Sequence, residues 1–292
     1  MKIWIAVLTF SAFLSSFVPL NRSAVSGCYS SDFVDITTVK HQNETYSMVV
    51  MRRDGDRVKA KYFAAKDYNG STVYNRYLTW KNNNPGVILL SSGTYTDNYD
   101  NAQGLTIDNG VVVNESLICD KMDALVIVYA SGGIAVSDLR VGGLSVSGIP
   151  RKLNLCSSST DLDDFIEWAK EEGATVFQTH LLAYKNEVKV KRATSSKTVR
   201  ERRFLAVGKD ESGKYVHVIV HNPDQTTLYD GTEKVLRFLR EFKDMDVTFM
   251  INLDTGAQDV FELHNPDCSV NSTIKGQKPP SAAVNILAYY FK

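Results

Sequence analysis

The sequence predicts an α+β fold, a mixed, mainly antiparallel sheet core carrying two amphipathic helices. Three observations predict it. Short runs rich in Val, Ile, Leu, Phe and Tyr recur along the chain, separated by Gly, Asn and Asp turns of hairpin type. Only two segments carry clear helical periodicity. Hairpins outnumber strand–helix–strand units, which argues against a wholly parallel sheet.

The 292 residues contain 33 Lys+Arg and 33 Asp+Glu, with 43% hydrophobic and 23% charged residues. That balance excludes wholesale disorder, a coiled coil and a multi-span membrane protein. Zero net charge gives no general electrostatic case for nucleic acid, which is not expected among the partners. Lys2, the uncharged run Ile3–Val18 and the breaker Pro19 read as a secretory signal within residues 1–27. A single membrane anchor is the alternative, because the run approaches the roughly 17-residue lower limit for spanning. Val25-Ser26-Gly27-Cys28 is similar to a bacterial lipobox, in which Cys28 is lipidated; cleavage near Ala24 is the other reading. The expectation is an exported chain, either a periplasmic or outer-surface lipoprotein or a secreted protein. Cysteines 28, 119, 156 and 268 leave disulfide pairing open: three partners if Cys28 is lipidated, two bridges otherwise. Sequons at Asn21, Asn43, Asn69, Asn114 and Asn271 matter only in a eukaryotic source.

Tyr46–Arg52 and Val58–Ala65 read as strands of a hairpin around Asp54-Gly55-Asp56. A polar, Asn-rich stretch runs from there to Pro85-Gly86, the clearest boundary signal. It divides an N-terminal β-rich segment, 28–85, from a main domain, 86–292; the former is a small module or part of the main sheet. Val87–Leu90 is a strand, and Leu105–Val113 holds the hairpin turn Asp108-Asn109-Gly110. Leu125–Tyr129 and Ile134–Val136 form another hairpin around Ser131-Gly132-Gly133, while Val141–Ile149 suits strand or loop.

The period then changes. Thr160 can cap a helix over Asp161–Glu172, whose Leu162, Phe165, Ile166 and Ala169 share one face, with Gly173 as its stop. Thr175–Leu182, Glu187–Lys191, Phe204–Val207 and Tyr215–Val220 are strands, the last two joined across Asp210–Gly213. A second helix spans about Thr232–Phe242, with Val235, Phe238, Leu239 and Phe242 aligned. Strands Val247–Leu253, Asp259–Leu263 and Val284–Phe291 complete the chain.

Most chemical motifs fail. The sequence has no phosphate loop, no G-x-G-x-x-G and no H-E-x-x-H. Gly143-Leu144-Ser145-Val146-Ser147 misses the nucleophile elbow at its fifth residue. Asp97-Asn98-Tyr99-Asp100-Asn101 lacks calcium-loop spacing, and no cysteine or histidine spacing suits zinc, so neither metal nor other cofactor is expected. The basic clusters Lys189-Val190-Lys191-Arg192 and Arg200-Glu201-Arg202-Arg203 suit a solvated loop or a phosphate-facing wall. Val247–Leu253 is apolar except for Asn252 and ends at Asp254-Thr255-Gly256, so Asn252 and Asp254 project to the same side. A carboxylate, an amide and a Gly turn at the end of a buried strand suit hydroxyl or phosphate binding and acid/base work. A turn in which Asp254 only caps backbone amides is the alternative.

Met250-Ile251-Asn252-Leu253-Asp254-Thr255-Gly256 resembles the NLDGGGS signature of the phosphodiester glycosidase family. Ser92-Gly93-Thr94-Tyr95, Asn101–Leu105 and Asp108-Asn109-Gly110 are similar to a second conserved stretch of that family, in the same order. Phe177-Gln178-Thr179-His180-Leu181-Leu182 resembles its "Q.GP.LL" strand and Arg203–Gly208 its "RTA.G" strand. The chain departs from the pattern in Thr255-Gly256-Ala257-Gln258-Asp259, in His180 where Pro is usual, and in an Arg offset by one residue. The resemblance implies hydrolysis of a sugar-1-phosphodiester or related surface glycan, with a carbohydrate or sugar-phosphate as partner. It makes Asp254 the acid/base or orienting carboxylate and Asn252 its orienter; His180, which departs from the pattern, suits a proton shuttle, a phosphate donor or a satisfied strand histidine. Asp259 or Glu262 becomes the second carboxyl, and Gly256, Thr255, Tyr95, Gln178, Arg202 and Arg203 contact substrate. The competing expectation is a non-catalytic glycan-binding or envelope-assembly lipoprotein on the same fold, tethered at the membrane surface through Cys28.

Overall fold

The computed structural model describes residues 24–30, 32–53, 57–64, 70, 72–84, 86–97, 100–264, 272–275 and 277–292. In chain order the first strands are β1 (Ala24–Ser30), β2 (Val34–His41), β3 (Glu44–Arg52) and β4 (Val58–Phe63), followed by helix α1 (Val73–Asn82). Then come β5 (Val87–Ser91), β6 (Thr106–Asp108), β7 (Val111–Asn114), β8 (Ala124–Val128), β9 (Ile134–Asp138) and helix α2 (Ser159–Glu171). Next are β10 (Thr175–Thr179), β11 (Leu181–Tyr184), β12 (Glu187–Val188), the single turn α3 (Arg192–Ser195), β13 (Arg200–Lys209) and β14 (Tyr215–Thr226). Helix α4 (Leu228–Lys243), β15 (Asp246–Leu253), β16 (Val260–Leu263), β17 (Ser272–Lys275) and β18 (Ile286–Phe291) finish the chain.

These strands build three sheets in the orders β1-β2-β3-β14-β13-β15-β11-β12, β7-β6-β10-β8-β9 and β17-β16-β5-β18-β4. Every pairing among the described strands is antiparallel, which corrects the mixed sheet to an antiparallel one. Period-two alternation sorts each strand between two environments. On β13, Leu205 and Val207 enter a core shared by all three sheets, with Val49, Ile251, Val126, Phe177, Tyr62 and Leu287. Phe204 and Ala206 face the opposite side, where Val235, Phe238 and Leu239 of α4 cover the large sheet. Phe165 and Ala169 of α2 cover the second sheet over Ile107, Leu125 and Val176. Val73 and Tyr77 of α1 cover the third over Leu90, Val260 and Ile286. Each sheet therefore presents its inner face to the common core and its outer face to one helix. Truncating a ring such as Phe177 at that centre costs about 3–5 kcal/mol.

Both sequence-predicted helices form, with shifted starts. The Ser158 hydroxyl, not Thr160, accepts from the Asp161 amide (3.1 Å) to open α2. Thr227 accepts from the Asp230 amide (3.0 Å) to open α4 one turn earlier than predicted. Helix α1 falls in the stretch read as a polar boundary; its packing rests on Val73, Tyr77 and Trp80 rather than on an aliphatic stripe. Strands β3 and β4 form where predicted but make no hairpin. Strand β3 already has β2 and β14 on its two edges, so β4 pairs with β18 in another sheet. Their connection, 54–56, lies outside the described residues. Segment 28–85 thereby supplies strands to two of the sheets rather than standing apart. The Asp108-Asn109-Gly110 turn forms as expected, with Asn109 and Gly110 left-handed at φ 53° and 78°. Val141–Ile149 is loop, tied by a single bridge between Leu144 and Leu153. Cys119 pairs with Cys156; Cys268 lies outside the described residues.

Candidate functional site

The chain passes between sheets at four places; one joins β3 to β4, and the other three, after β5, between β10 and β11, and between β15 and β16, meet at the candidate site. Tyr95 lies on the first of these three, His180 on the second and Asp254 on the third. Antiparallel ladders end at such crossings, so their polar backbone must find other partners. The Asp254 amide donates to the Gly93 carbonyl (3.0 Å) and the Asn252 amide to the His180 carbonyl (3.2 Å). The Thr179 hydroxyl donates to the Asn252 carbonyl (2.7 Å). The three crossings are thus bonded to one another.

Asn252 and Asp254 sit together at the end of β15, both buried. The Asn252 Nδ2 donates to the Tyr95 hydroxyl (2.7 Å) and to the Leu253 carbonyl (2.9 Å). Its Oδ1 is buried without a hydrogen-bond partner among the described residues. Asp254 Oδ1 accepts from the Gly256 amide (3.0 Å). A Cβ on Gly256 would lie 3.1 Å from that oxygen, so the glycine lets the turn close over the carboxyl. Burial and the Asp259 carboxylate push the Asp254 pKa up to about 6, outweighing those amides and Arg203. Burial and the same Asp254 carboxylate raise the Tyr95 phenol, against Arg202 and Arg200. Tyr95 therefore stays protonated, and its hydroxyl accepts from Asn252 while keeping its own proton to donate.

Tyr95 and His180 stand edge to face with centroids 5.4 Å apart, in the wall of a cavity of about 640 Å³. Asp123, Arg140, Lys191, Arg200 and Arg202 also line it. Along β13, Arg200 and Arg202 fall on the cavity side and Arg203 on the other, as alternation requires. Arg202 is buried, and among the described residues its guanidinium donates to two carbonyls, those of Thr226 (3.3 Å) and Thr198 (2.7 Å). No carboxylate among the described residues pairs with it, and burial lowers its pKa. Burial also lowers the pKa of His180 despite the nearby Asp123, so the imidazole is neutral at pH 7. An uncompensated guanidinium, a protonated phenol and a neutral imidazole can hold an anion and move one proton.

Other expected site residues lie elsewhere. Arg203 and Asp259 form a fully buried fork, Nη1–Oδ1 2.6 Å and Nη2–Oδ2 2.9 Å. Arg203 also stacks 4.4 Å over Phe261 and donates to the Asp254 carbonyl (3.3 Å). The pair thus braces the signature turn from behind, which removes Asp259 as a second free carboxyl and Arg203 as a substrate contact. Glu262 binds the Tyr74 hydroxyl (3.0 Å) and faces His264 at the edge of the third sheet, away from the cavity. Gln178 spends its amide on Leu105, Ile118 and Met122 backbone groups at 2.8–3.0 Å, so it pins the cavity wall instead of contacting substrate. The Thr255 hydroxyl is turned to the Glu201 carbonyl (2.9 Å). Asp254 does not line the cavity; Tyr95 lies in its wall, with Asp254 buried at the turn beneath. Cys28 falls within β1.

The sequence reading missed Asp123, whose Oδ1 accepts from the Leu181 amide (2.7 Å), and Asn285. Asn285 fixes the Tyr95 turn by accepting from the Gly93 amide (2.9 Å) and donating to the Thr94 carbonyl (3.0 Å). A Cβ on Gly93 would lie 2.6 Å from the Tyr62 ring, which explains the glycine there. Neither Asp123 nor Asn285 has a local signal, because their partners are distant in sequence. Among the described residues no cluster suited to a metal ion occurs, and no helix is long and apolar enough to cross a membrane.

No family model matches the chain, and no curated protein matches it. Among solved structures it is similar to the catalytic domain of zebrafish N-acetylglucosamine-1-phosphodiester alpha-N-acetylglucosaminidase, auto-inhibited by its pro-peptide. That similarity has 17% identity and TM-score 0.49, over 89% of this chain and 82% of that one. A hypothetical protein from Synechocystis is similar at 9% identity and TM-score 0.46, over 90% and 63% of the two chains. A "putative exported protein" from Burkholderia pseudomallei is similar at 9% identity and TM-score 0.41, over 87% and 74%.

Proposed function

We propose that the chain is an exported phosphodiester glycosidase-like hydrolase acting on a sugar-1-phosphodiester or related surface glycan. One observation carries the reading: the buried Arg202 guanidinium faces a cationic cavity and has no carboxylate partner among the described residues. A buried cation bonded only to carbonyls is costly unless an anion completes it. In this reading Arg202 and Arg200 hold the phosphate. Tyr95, kept protonated by burial, donates to an oxygen of the scissile group. Neutral His180 accepts the proton of the attacking water, and Asp123 stabilises the imidazolium that results. Asn252 and Asp254 position Tyr95 rather than touching the substrate, and Asp254 sets the field at its hydroxyl.

Turnover of an N-acetylglucosamine-1-phosphodiester tests this reading. Arg202→Met should lower kcat/KM by about 10²–10³ with little change in melting temperature. Absence of turnover in the parent chain would contradict it. The competing reading, a non-catalytic glycan-binding or envelope-assembly lipoprotein, draws on a different observation: Asp259, expected as the second carboxyl, is committed to Arg203. Glycan binding without turnover is its expected outcome.

A further inference from the structure

The chain carries no net charge, yet one rim of it is basic. At the mouth of the cationic cavity Lys121, Lys191 and Arg200 stand exposed, and Lys197 joins them on the loop between β12 and β13. Lys152 is exposed on the adjoining loop, packed on Gly143. None of these five cations makes an ion pair among the described residues. The acids beside them are mostly taken up. Arg140 holds Asp123 (2.8 Å) and Asp138 (2.9 Å), and Lys189 holds Glu187 (2.8 Å). Asp120 is left exposed and unpaired in the cavity wall among the described residues.

Two valines stand out from the same rim. Val141, at 73% the most exposed large apolar side chain among the described residues, follows Arg140 of the cavity wall. Val199, at 53%, lies between Thr198 and Arg200, which both line the cavity. Arg140 ties the two loops together, its Nη1 donating to the Lys189 carbonyl (3.3 Å). A single exposed valine is ordinary. Two of them set among unpaired cations have the composition of a surface that binds anionic bilayers: charge attracts the headgroups, and apolar tips enter beneath them. A soluble polyanion would use the cations and leave both valines in water.

We propose that this rim docks on the surface of an anionic phospholipid bilayer, with the five cations against the headgroups and Val141 and Val199 entering the layer beneath them. The cavity mouth then faces the membrane. The inference goes beyond the catalytic reading and does not draw on it, so vesicles that carry no sugar diester test it whether or not the chain turns one over.

The experiment is co-sedimentation of the exported chain with phosphatidylcholine vesicles, plain or containing about 30% phosphatidylserine. Binding should require the anionic lipid and fall as salt rises. An apolar N-terminal anchor or a lipid on Cys28 would bind plain vesicles as well, so equal binding to both overturns the proposal, as does binding to neither. Lys152→Glu/Lys197→Glu should weaken binding about twentyfold or more, at about fivefold for each cation lost. Lys209→Glu/Lys243→Glu makes the same charge change at the far ends of β13 and α4, and should alter binding by less than about threefold. Equal losses in the two pairs would leave net charge as the cause and overturn the face. The indole of Val141→Trp should be quenched by brominated acyl chains beyond any quenching in the parent. Binding without that quenching would be the contact a soluble polyanion makes, and overturns the bilayer as partner.

Discussion

Asp254 holds a carboxyl that the fold favours in its protonated form. Its pKa, about 6 in the folded chain, stands above the ordinary value of about 3.9 in an unfolded one. The folded state therefore binds that proton more tightly. The stability it contributes is full below about pH 4 and is lost as pH rises through about 6. Near neutral pH the ionised group costs of order 2–3 kcal/mol. Asp254→Asn keeps the acceptor for the Gly256 amide and removes the charge. It should melt higher than the parent at pH 8 and equal to it at pH 4, while turnover falls by about 10²-fold or more. Thermal melts across that range check the sign. A variant that melts lower at pH 8 with full activity would make Asp254 a turn cap and no more. The sequence placed Asp254 and Asn252 correctly side by side at a buried strand end. It could not tell that Tyr95 would stand in the cavity wall over the carboxyl, because that arrangement comes from the crossing after β5.

The element scale shows why adjacent arginines on β13 do different work. Arg202 faces the cavity and Arg203 the interior, because adjacent residues of a strand take opposite faces. Removing one partner of the buried Arg203–Asp259 fork strands the other. Asp259→Ala should cost about 3–5 kcal/mol, read as a shifted denaturation midpoint at unchanged slope. A loss below 1 kcal/mol would contradict the bracing role. Strands and helices were legible where a period was strong, as in β15 and α4. Helix α1 was not, since its contacts are aromatic and spaced among asparagines. The β3–β4 hairpin was misread because local turn chemistry cannot say that β3 has both edges occupied by β2 and β14. The motif around Gln178 suggests a substrate contact, yet its whole amide is spent on backbone more than fifty residues away.

For the molecule as a whole, export and the staple can be examined on one sample. Strand β1 pairs Ala24 with Val39 and Val25 with Thr38, so cleavage before Cys28 would remove half of it, whereas cleavage ahead of Ala24 preserves the ladder. Mass spectrometry of the exported product, alkylated without reduction, should find an N-terminus close to Ala24 and Cys119 and Cys156 unlabelled. A lipid-modified Cys28 at the N-terminus would instead establish the tether. Reduction of the bond, which closes a loop across 37 positions, should lower stability by about 4 kcal/mol on the chain-entropy account.

The central claim is that three sheet crossings assemble one anion site around Arg202. Its most direct test is a titration of the full chain with N-acetylglucosamine 1-phosphate, followed by amide chemical shifts at two salt concentrations. The account predicts shifts centred on Tyr95, His180 and Arg202, an affinity that falls as salt rises, and loss of binding in Arg202→Met with its melting temperature retained. Shifts centred elsewhere, or an affinity untouched by Arg202→Met, would contradict it.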